Sequence, residues 1–321
     1  MLLYKVPFRP TVHTPSFLHF LSVFLLKMFL LLGVSIGLVL LGLYLWHVDH
    51  GMRVVPAEVT KLSPHRWTDE EVRETYKRLA AKPLDWTPHL PPKLDRRYIV
   101  VGGSGLVGGF LVLQLLARGQ SPESIRIVDF RKPFREDLNR GKAKEVEFVQ
   151  ADITNMKTVK AAFAKPWPKS VASLPMTVVH TAASIRPGER NKIFLNRCAI
   201  VNINGTENVL GAARDAGASI FLATSSASIS IRPVSFWIAP WRTTPKGYVQ
   251  IYKDPERDET LRPHGDYFSN YAWTKARAED IVLKANAPRF RTGCIRPACA
   301  IYGNKYDISF GSNMAQGHVE T

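Results

Sequence analysis

Residues 98–108 read Tyr-Ile-Val-Val-Gly-Gly-Ser-Gly-Leu-Val-Gly, an apolar run that passes directly into glycines spaced as GxxGxxG. This spacing is a variant of the dinucleotide-binding fingerprint, whose glycines permit a tight strand-to-helix turn and a close approach to a pyrophosphate. The helix that follows offers unpaired N–H groups and a positive dipole end to the phosphates. The glycines alone also fit a structural turn, and their position between a predicted strand and a predicted helix favours a cofactor loop. The predicted loop contacts are Gly102, Ser104, Gly105, Leu106, Val107 and Gly108.

Downstream of this loop, apolar strands alternate with helices. The predicted strands are 98–101, 125–129, 146–150, 177–181, 219–223 and 293–296. The predicted helices are 106–118, 156–164, 193–216 and 267–285. This alternation predicts a parallel sheet covered on both faces, the doubly wound α/β (Rossmann) fold. We assign that domain to residues 97–321.

A carboxylate ends the second predicted strand at Asp129, about 20 residues after the last glycine of the loop. A carboxylate there accepts hydrogen bonds from the adenosine ribose hydroxyls and repels a 2′-phosphate. NAD is therefore the predicted cofactor. Arg131 and Lys132 lie close by in sequence and keep NADP as the alternative, and Asp129 also fits a simple turn residue.

A phenol and an ammonium are spaced for one helix face at Tyr271 and Lys275, in the pattern YxxxK. An unperturbed tyrosine titrates near pH ~10, too high for a base at neutral pH. A neighbouring cation favours the phenolate, so Tyr271 is predicted to be the general base toward a substrate alcohol. Lys275 is also predicted to hold the nicotinamide ribose. The pattern is common by chance and alone fits a surface pair.

Two serines, Ser225 and Ser226, follow the predicted strand 219–223. The carboxyl edge of a parallel sheet is where such folds bind ligands. Ser226 is predicted to hold the substrate oxygen, with Ser225 as the alternative, although serines at a strand end are often only caps. The order of glycine loop, aspartate, serine and YxxxK makes the combination specific.

The chain has 321 residues, a formal net charge of +16 and three cysteines. A basic chain can bind nucleic acid, an anionic membrane or an acidic ligand, or simply carry a solvated surface. No RNA-binding, zinc-finger or helix-turn-helix pattern is present, which argues against nucleic acid. Cys198, Cys294 and Cys299 form no CxxC pair, so we predict free thiols in a reducing compartment and no metal site.

The N-terminal region is predicted to be a membrane anchor over residues 1–46, with membrane contact through residues 17–46. Met28–Trp46 carries no charge and is long enough, as a helix, to cross a hydrocarbon core of about 30 Å. A cleaved signal peptide and a buried helix are the alternatives; the apolar run is too long for the first and no clean cleavage site follows it. Residues 47–96 are predicted to be a linker with a short helix at 69–81 that Thr68 and Glu71 cap.

The stretch from Arg97 to Gly303 resembles the extended short-chain dehydrogenases/reductases, and within them the 3β-hydroxysteroid dehydrogenase/isomerase family. Besides the glycine loop and YxxxK, the shared motifs are Gln150-Ala-Asp-Ile, Val179-His-Thr-Ala-Ala, Val201-Asn-Ile-Asn-Gly-Thr-Glu-Asn-Val-Leu and Ile295-Arg-Pro-Ala-Cys-Ala-Ile-Tyr-Gly303. The resemblance implies that Asp152 contacts the adenine, that Ala182 and Ala183 line the cofactor channel and that Pro297 flanks the nicotinamide. The implied cofactor set also contains Ile153 and Thr181.

The resemblance implies NAD-dependent oxidation of the 3β-hydroxyl of a steroid or sterol to a ketone. Related reductases and nucleotide-sugar epimerases share most of these motifs, and the predicted anchor favours a sterol because sterols partition into lipid. The alternatives are the same chemistry on another alcohol, ketone or nucleotide-sugar, and a catalytically silent, membrane-tethered NAD-binding protein. Free thiols and a nicotinamide cofactor favour a cytosolic catalytic domain, at the endoplasmic reticulum, and the superfamily makes a homodimer possible.

Two features depart from the family pattern. The stretch between Ser226 and Tyr271 is long and contains Phe236, Trp237 and Trp241. It is predicted to be either a membrane-facing lid over an apolar substrate or a surface insertion whose aromatic residues pack locally. The chain also ends soon after Gly303, where family members continue, so we expect a truncated C-terminal substrate region.

Overall fold

The structure, a computed structural model, describes residues 17–82, 84–235, 237–252 and 261–298. The chain divides into two compact units. The anchor unit comprises the residues up to Arg66 together with Val234–Val249. The sheet unit comprises Trp67–Pro233 and the residues from Gln250 onwards. The expectations for Phe236, Cys299, the Tyr302-Gly303 motif and the truncated C-terminal region lie outside the described residues.

The sheet unit is built on six strands that lie in the order β3-β2-β1-β4-β5-β6. The strands are β1 (Arg97–Val101), β2 (Ile125–Asp129), β3 (Glu147–Gln150), β4 (Met176–His180), β5 (Ile220–Thr224) and β6 (Arg291–Ile295). Every neighbouring pair is parallel. This is the strand order of doubly wound dinucleotide-binding sheets. The chain adds β2 and β3 on one side of β1 and then β4, β5 and β6 on the other, and such folds bind ligands at the switch point between β1 and β4. The predicted fold class is confirmed.

Eight α-helices lie along the described residues. In chain order they are α1 (Phe17–Arg53), α2 (Ala57–Leu62), α3 (Asp69–Ala81), α4 (Leu106–Ala117), α5 (Met156–Ala164), α6 (Leu195–Ala199), α7 (Gly205–Asp215) and α8 (Asn270–Lys284). A π-helical turn at Ile200–Asn204 separates α6 from α7, so the single helix predicted over 193–216 is interrupted. Thr68 and Glu71 form the predicted capping box at the start of α3.

Both faces of the sheet are covered, which explains why its central strand is apolar throughout. Ile99 and Val101 of β1 are fully buried in a cluster that contains residues of α5, α7 and α8. Val100 points to the opposite face and is fully buried in a second cluster with Val112 of α4. Parallel strands buried on both faces read as continuous apolar runs, and β1 follows that rule.

The anchor unit contains α1, a helix of 37 residues. By length and composition it could cross a membrane, and the most apolar stretch of the helix has no buried residues. Its apolar run ends near Trp46, and the helix continues for about two more turns, of mixed polar and apolar residues, to Arg53. An ion pair between Asp49 and Arg53 (3.0 Å) supports that last part of the helix.

Candidate active site

The turn after β1 requires glycine at two positions. Gly102 has φ of +82°, in the left-handed region that other residues avoid. A Cβ at Gly102 would lie 2.5 Å from the backbone nitrogen of Ala182. A Cβ at Gly108 would lie 2.3 Å from the carbonyl oxygen of Gly102 and 2.6 Å from Oγ1 of Thr181. The glycine loop therefore packs directly on the residues that follow β4, at the switch point of the sheet.

The first turn of α4 presents its backbone N–H groups without a side-chain cap. Gly105 precedes the helix, and no side chain of the described residues caps it. The first N–H groups of the helix belong to Leu106, Val107 and Gly108. Uncapped N–H groups at the positive end of a helix are suited to a phosphate. The predicted loop residues thus form one turn whose N–H groups could bind an anion.

Asp129 lies beside the glycine loop. Its Oδ2 accepts a hydrogen bond from the N–H of Ser104 at 3.1 Å, and its Oδ1 accepts one from the N–H of Arg131 at 3.3 Å. Burial raises the pKa of the Asp129 carboxyl, and these backbone hydrogen bonds oppose that shift. The hydroxyl of Ser104 donates to the carbonyl of Arg131 at 2.8 Å. The structure therefore brings together two of the predicted cofactor contacts.

Asp152 and Ile153 follow the edge strand β3. Oδ1 of Asp152 accepts hydrogen bonds from the N–H and the hydroxyl of Thr154, at 2.9 Å and 2.8 Å, which fixes its carboxylate on the surface. Ile153 instead turns inward. A Cβ at Gly205 would lie 2.7 Å from Cδ1 of Ile153, so this glycine admits the isoleucine side chain. Of the two predicted contacts, Asp152 is the exposed one.

A buried arginine holds the glycine loop from behind, and sequence reasoning did not single it out. The Arg135 guanidinium donates to the carbonyls of Gly105 and Leu106, at 3.0 Å and 2.9 Å. It also pairs with Asp137 at 2.7 Å and is itself fully buried. Arg135 lies 30 positions after Gly105 and 29 after Leu106, so no local sequence pattern indicates these hydrogen bonds.

Tyr271 and Lys275 lie in the first two turns of α8. Ser269 precedes and caps the helix, and its hydroxyl accepts a hydrogen bond from the N–H of Ala272 at 3.2 Å. Lys275 is only 5% exposed, and its Nζ donates to the carbonyl of Thr224, the last residue of β5. Burial lowers the pKa of Lys275 to about 8. Tyr271 is half-buried one helical turn before this ammonium.

Ser226 and Pro297 lie next to each other beyond the ends of β5 and β6. The N–H of Ser225 donates to the carbonyl of Ile295 at 2.7 Å, and the N–H of Ala227 donates to the carbonyl of Pro297 at 3.0 Å. Ser226 is half-buried and its Oγ accepts a hydrogen bond from the N–H of Ser228 at 3.2 Å, whereas Oγ of Ser225 is buried and has no hydrogen-bond partner among the described residues. Ser226 is therefore the more accessible of the two candidates.

The π-helical turn between α6 and α7 carries a buried amide that sequence reasoning did not assign to the site. Asn202 is 1% exposed. Its Oδ1 accepts from the N–H of Ser184 at 2.8 Å, and its Nδ2 donates to the Ser184 carbonyl and to Oγ1 of Thr274, both at 3.0 Å. It thereby ties the segment that contains Ala183 to the helix of Lys275. Such turns are frequent at functional sites.

His180, the last residue of β4, is buried close to Lys275. Its Nε2 lies 3.1 Å from Oγ1 of Thr206. Burial lowers the pKa of His180 to about 3, and the charge of Lys275 acts in the same direction. The imidazole is therefore neutral at physiological pH.

A cavity of about 500 Å³ opens in the sheet unit beside α8. Its lining includes Ser230, four residues after Ser226, and Tyr267 and Ala276 from α8 and the turn before it. Arg296 also lines it and forms an ion pair with Glu279 at 2.6 Å. A cavity of this size, with mixed polar and apolar walls, falls in the range of small-molecule sites.

The predicted residues thus occupy the carboxyl edge of one parallel sheet. The glycine loop follows β1, Asp129 is the last residue of β2, and the Thr181–Ala183 segment follows β4. Ser226 and Pro297 follow β5 and β6, with the ammonium of Lys275 at the end of β5. Together they could hold a dinucleotide along the edge and place a phenol and a hydroxyl at one end of it.

A comparison with known families matches residues 99–236 to the 3-beta hydroxysteroid dehydrogenase/isomerase family. The matched range contains the glycine loop, Asp129 and Ser226, and it ends before Tyr271 and Lys275.

The chain is also similar to curated proteins. A 3 beta-hydroxysteroid dehydrogenase/Delta 5-->4-isomerase of Mycobacterium tuberculosis is 32% identical over 232 residues, which are 70% of this chain and 53% of that protein. A decarboxylating sterol-4-alpha-carboxylate 3-dehydrogenase of Saccharomyces cerevisiae is 30% identical over 253 residues, covering 69% of this chain and 63% of that protein. For the human sterol-4-alpha-carboxylate 3-dehydrogenase the identity is 27%, with 70% and 57% covered. The chain thus spans about half to less than two thirds of the length of these relatives.

Among solved structures, a Thermus thermophilus UDP-glucose 4-epimerase in complex with NAD is 24% identical, with a TM-score of 0.42 and 62% of this chain and 54% of that chain covered. The Bordetella bronchiseptica enzyme WbmH in complex with NAD+ is 20% identical, with a TM-score of 0.45 and 69% and 63% covered.

Proposed function

Because this chain is a relative of the 3-beta hydroxysteroid dehydrogenase/isomerase family, we propose that it is an NAD-dependent oxidoreductase that oxidises the 3β-hydroxyl of a steroid or sterol to a ketone. One observation carries the proposal. The buried ammonium of Lys275 lies one helical turn after Tyr271 and donates to the last carbonyl of β5, two residues before Ser226. Desolvating an ammonium is costly, and this one has no ion-pair partner among the described residues. Titratable groups that are buried at such a cost and have strongly shifted pKa values cluster at functional sites.

The residues present fit a dinucleotide cofactor. Gly102 and Gly108 leave no room for a side chain in the glycine loop, and the first N–H groups of α4 lack a side-chain cap. Asp129 lies beside the loop, where a carboxylate favours ribose hydroxyls over a 2′-phosphate. In this proposal Thr181 and Pro297 flank the cofactor further along the edge. Bound there, NAD supplies a hydride acceptor.

The chain's own residues then handle the proton. In the proposed mechanism Ser226 holds the substrate oxygen by a hydrogen bond, and Tyr271 as phenolate takes the proton of the same hydroxyl. Lys275 stabilises the phenolate by its positive charge. Its pKa of about 8 leaves the ammonium mostly charged at neutral pH. The Tyr271 phenolate is expected to lose the stabilisation by the positive charge of Lys275 as the pH rises above 8 and the ammonium loses its proton.

The substrate class is a proposal that rests on two supports. The relatives named above act on steroids or sterols according to their names, and α1 is long and apolar enough to hold the chain in the membrane where sterols reside. We further propose a single-pass anchor through residues 17–46, with the sheet unit in the cytosol at the endoplasmic reticulum. The possible homodimer stays a prediction.

The test is turnover by the full chain in lipid vesicles that carry sterol. NADH formation would be measured with a 3β-hydroxysterol, with its 3α-epimer and with UDP-glucose. We expect NADH only with the 3β-hydroxysterol, and slower turnover with NADP than with NAD. UDP-glucose would also be assayed for conversion to its 4-epimer, because epimerisation returns the hydride to the sugar and forms no net NADH. That conversion instead would establish nucleotide-sugar chemistry. NAD binding by calorimetry without any turnover would establish a silent NAD-binding protein.

A further inference from the structure

The segment Val234–Val249 packs on the C-terminal end of α1 within the anchor unit. The rings of Trp237 and Tyr44 are stacked, with centroids 4.9 Å apart and planes inclined by 14°. The N–H of Ile238 donates to the hydroxyl of Tyr44 at 3.4 Å. Nε2 of His47 lies 3.3 Å from the carbonyl oxygen of Ala239. These contacts join parts of the chain that are more than 190 positions apart in the sequence (192 for His47–Ala239 and 194 for Tyr44–Ile238).

One glycine of α1 makes this close approach possible. Gly51 is buried, and a Cβ on it would lie 2.2 Å from the carbonyl oxygen of Thr243. A Cβ on the glycines at positions 33, 37 and 42 of the same helix would meet no heavy atom of the described residues within 4 Å. The requirement for glycine is therefore confined to the end of α1 where the segment lies. Ile238 is only 4% exposed, so the segment has a buried side of its own.

The outer side of the segment is aromatic and basic. Trp237 and Trp241 are 61% and 84% exposed. Arg242 and Lys246, in the same segment, are also exposed. Indole rings favour the boundary between acyl chains and headgroups, and basic side chains near that boundary favour anionic lipids. This combination suits a lipid surface.

The segment contacts α1 at the place along the helix where a lipid headgroup layer is expected. The charge-free part of the helix ends at Trp46, the expected edge of the hydrocarbon. The contacts with the segment run from Tyr44 to Gly51, about 10 Å along a helix axis. The headgroup layer of one leaflet is roughly 5–8 Å thick. The segment is therefore held at the depth of the headgroups if α1 spans the bilayer.

We propose that Val234–Val249 is a second membrane-contacting element, which lies in the headgroup layer with Trp237 and Trp241 immersed at its lower edge. The proposal rests on the membrane anchorage proposed above for α1. It assigns a role to part of the long stretch between Ser226 and Tyr271 that the dehydrogenase chemistry does not use.

The first test measures tryptophan quenching in the full chain, reconstituted in phosphatidylcholine and phosphatidylserine vesicles with brominated acyl chains. Bromine quenches only indoles near the acyl chains. If Trp46, Trp237 and Trp241 share the quenched signal equally, Trp241→Phe removes about one third of it. Trp167→Phe is the control and is expected to leave the quenched signal unchanged, because Trp167 stacks on the Arg126 guanidinium at 4.1 Å in the sheet unit.

Trp46→Phe distinguishes a failure of the segment's location from a failure of the anchor. A loss of quenched signal in Trp46→Phe without a loss in Trp241→Phe would leave the anchor standing and overturn the headgroup location of the segment. No loss in either variant would overturn the anchor as well.

The second test uses matched glycine variants of α1. Gly51→Ala places a methyl group against Thr243, whereas Gly42→Ala meets no atom of the described residues within 4 Å. Released segments are cut by trypsin at Arg242 and Lys246. We expect Gly51→Ala to speed this cleavage in vesicles by about tenfold or more and Gly42→Ala to leave it at the wild-type rate. Equal cleavage rates in the two variants would show that the segment is not held on α1.

Discussion

Lys275→Met separates the stability of this protein from its activity. The Lys275 pKa falls from 10.5 to about 8 on folding because the ammonium is buried. Between those two values the unfolded chain binds the proton more tightly than the folded one, so the free energy of unfolding of the wild type rises with pH there. Burial of Lys275 lowers the free energy of unfolding by about 3 kcal/mol at pH 7, where the folded chain keeps the proton, and by less than about 1 kcal/mol at pH 10, where the folded chain has released it. Methionine fills the same space without that charge.

The measured quantity is the difference in the free energy of unfolding between Lys275→Met and the wild type, from urea denaturation of the full chain in detergent micelles. Methionine also leaves the Thr224 carbonyl without this donor, at a cost of about 1–3 kcal/mol that does not depend on pH. The absolute difference at one pH is therefore small. From pH 7 to pH 10 it should shift by about 2 kcal/mol in favour of the wild type.

The control is Lys284→Met on the same helix, because the Lys284 side chain is 75% exposed. Lys284→Met removes only an exposed ion pair with Asp280 (2.7 Å), so its difference from the wild type should be no more than about 0.5 kcal/mol at either pH. If the difference in the free energy of unfolding between Lys275→Met and the wild type also stayed the same from pH 7 to pH 10, the claim that Lys275 is a buried ammonium with a lowered pKa would be refuted. Lys275→Met should also lose turnover, whereas Lys284→Met should keep it.

Three further predictions concern the cofactor edge. Gly108→Ala brings a methyl group within 2.6 Å of Oγ1 of Thr181, so NAD affinity measured by calorimetry should fall at least about tenfold with the circular dichroism spectrum unchanged. Arg135→Met leaves the carbonyl of Gly105 without its donor, and should lower the free energy of unfolding by about 2–4 kcal/mol in urea titrations and weaken NAD binding. Asp129→Ala removes the carboxylate that disfavours a 2′-phosphate, so kcat/KM for NADP relative to NAD should rise roughly tenfold; an unchanged ratio would mean that Asp129 does not select the cofactor.

Elements that depend on local pattern could be predicted from the sequence. The strand that ends at Val101, the turn at Gly102 and the helix after it follow from an apolar run and glycine spacing. The helix at Asp69–Ala81 follows from one capping box, because the two capping residues are only three positions apart. The bounds of α5 agree with the prediction because a local signal, an apolar stripe, runs along the whole helix.

Features that depend on distant contacts could not be predicted. The interruption between α6 and α7 involves Asn202, whose amide bonds Thr274 across 72 positions. Arg135 is buried and supports the glycine loop from 30 positions away, but nothing in the sequence around it distinguishes it from the exposed arginines of the chain. The packing of Trp237 on Tyr44 likewise has no local signal. The position of Ser226 at the carboxyl edge of the sheet could nevertheless be predicted, because strand ends of a parallel sheet converge on one edge.

The most direct test of the proposed chemistry is Tyr271→Phe, which removes one hydroxyl and leaves the ring. NADH formation by the full chain in sterol-bearing vesicles should fall by about 10²–10⁴-fold, because the proton of the 3β-hydroxyl then has no acceptor. NAD affinity, measured by calorimetry on the same sample, should stay within about threefold of the wild type. Full turnover by Tyr271→Phe would contradict the account, since no base would then be needed at this position.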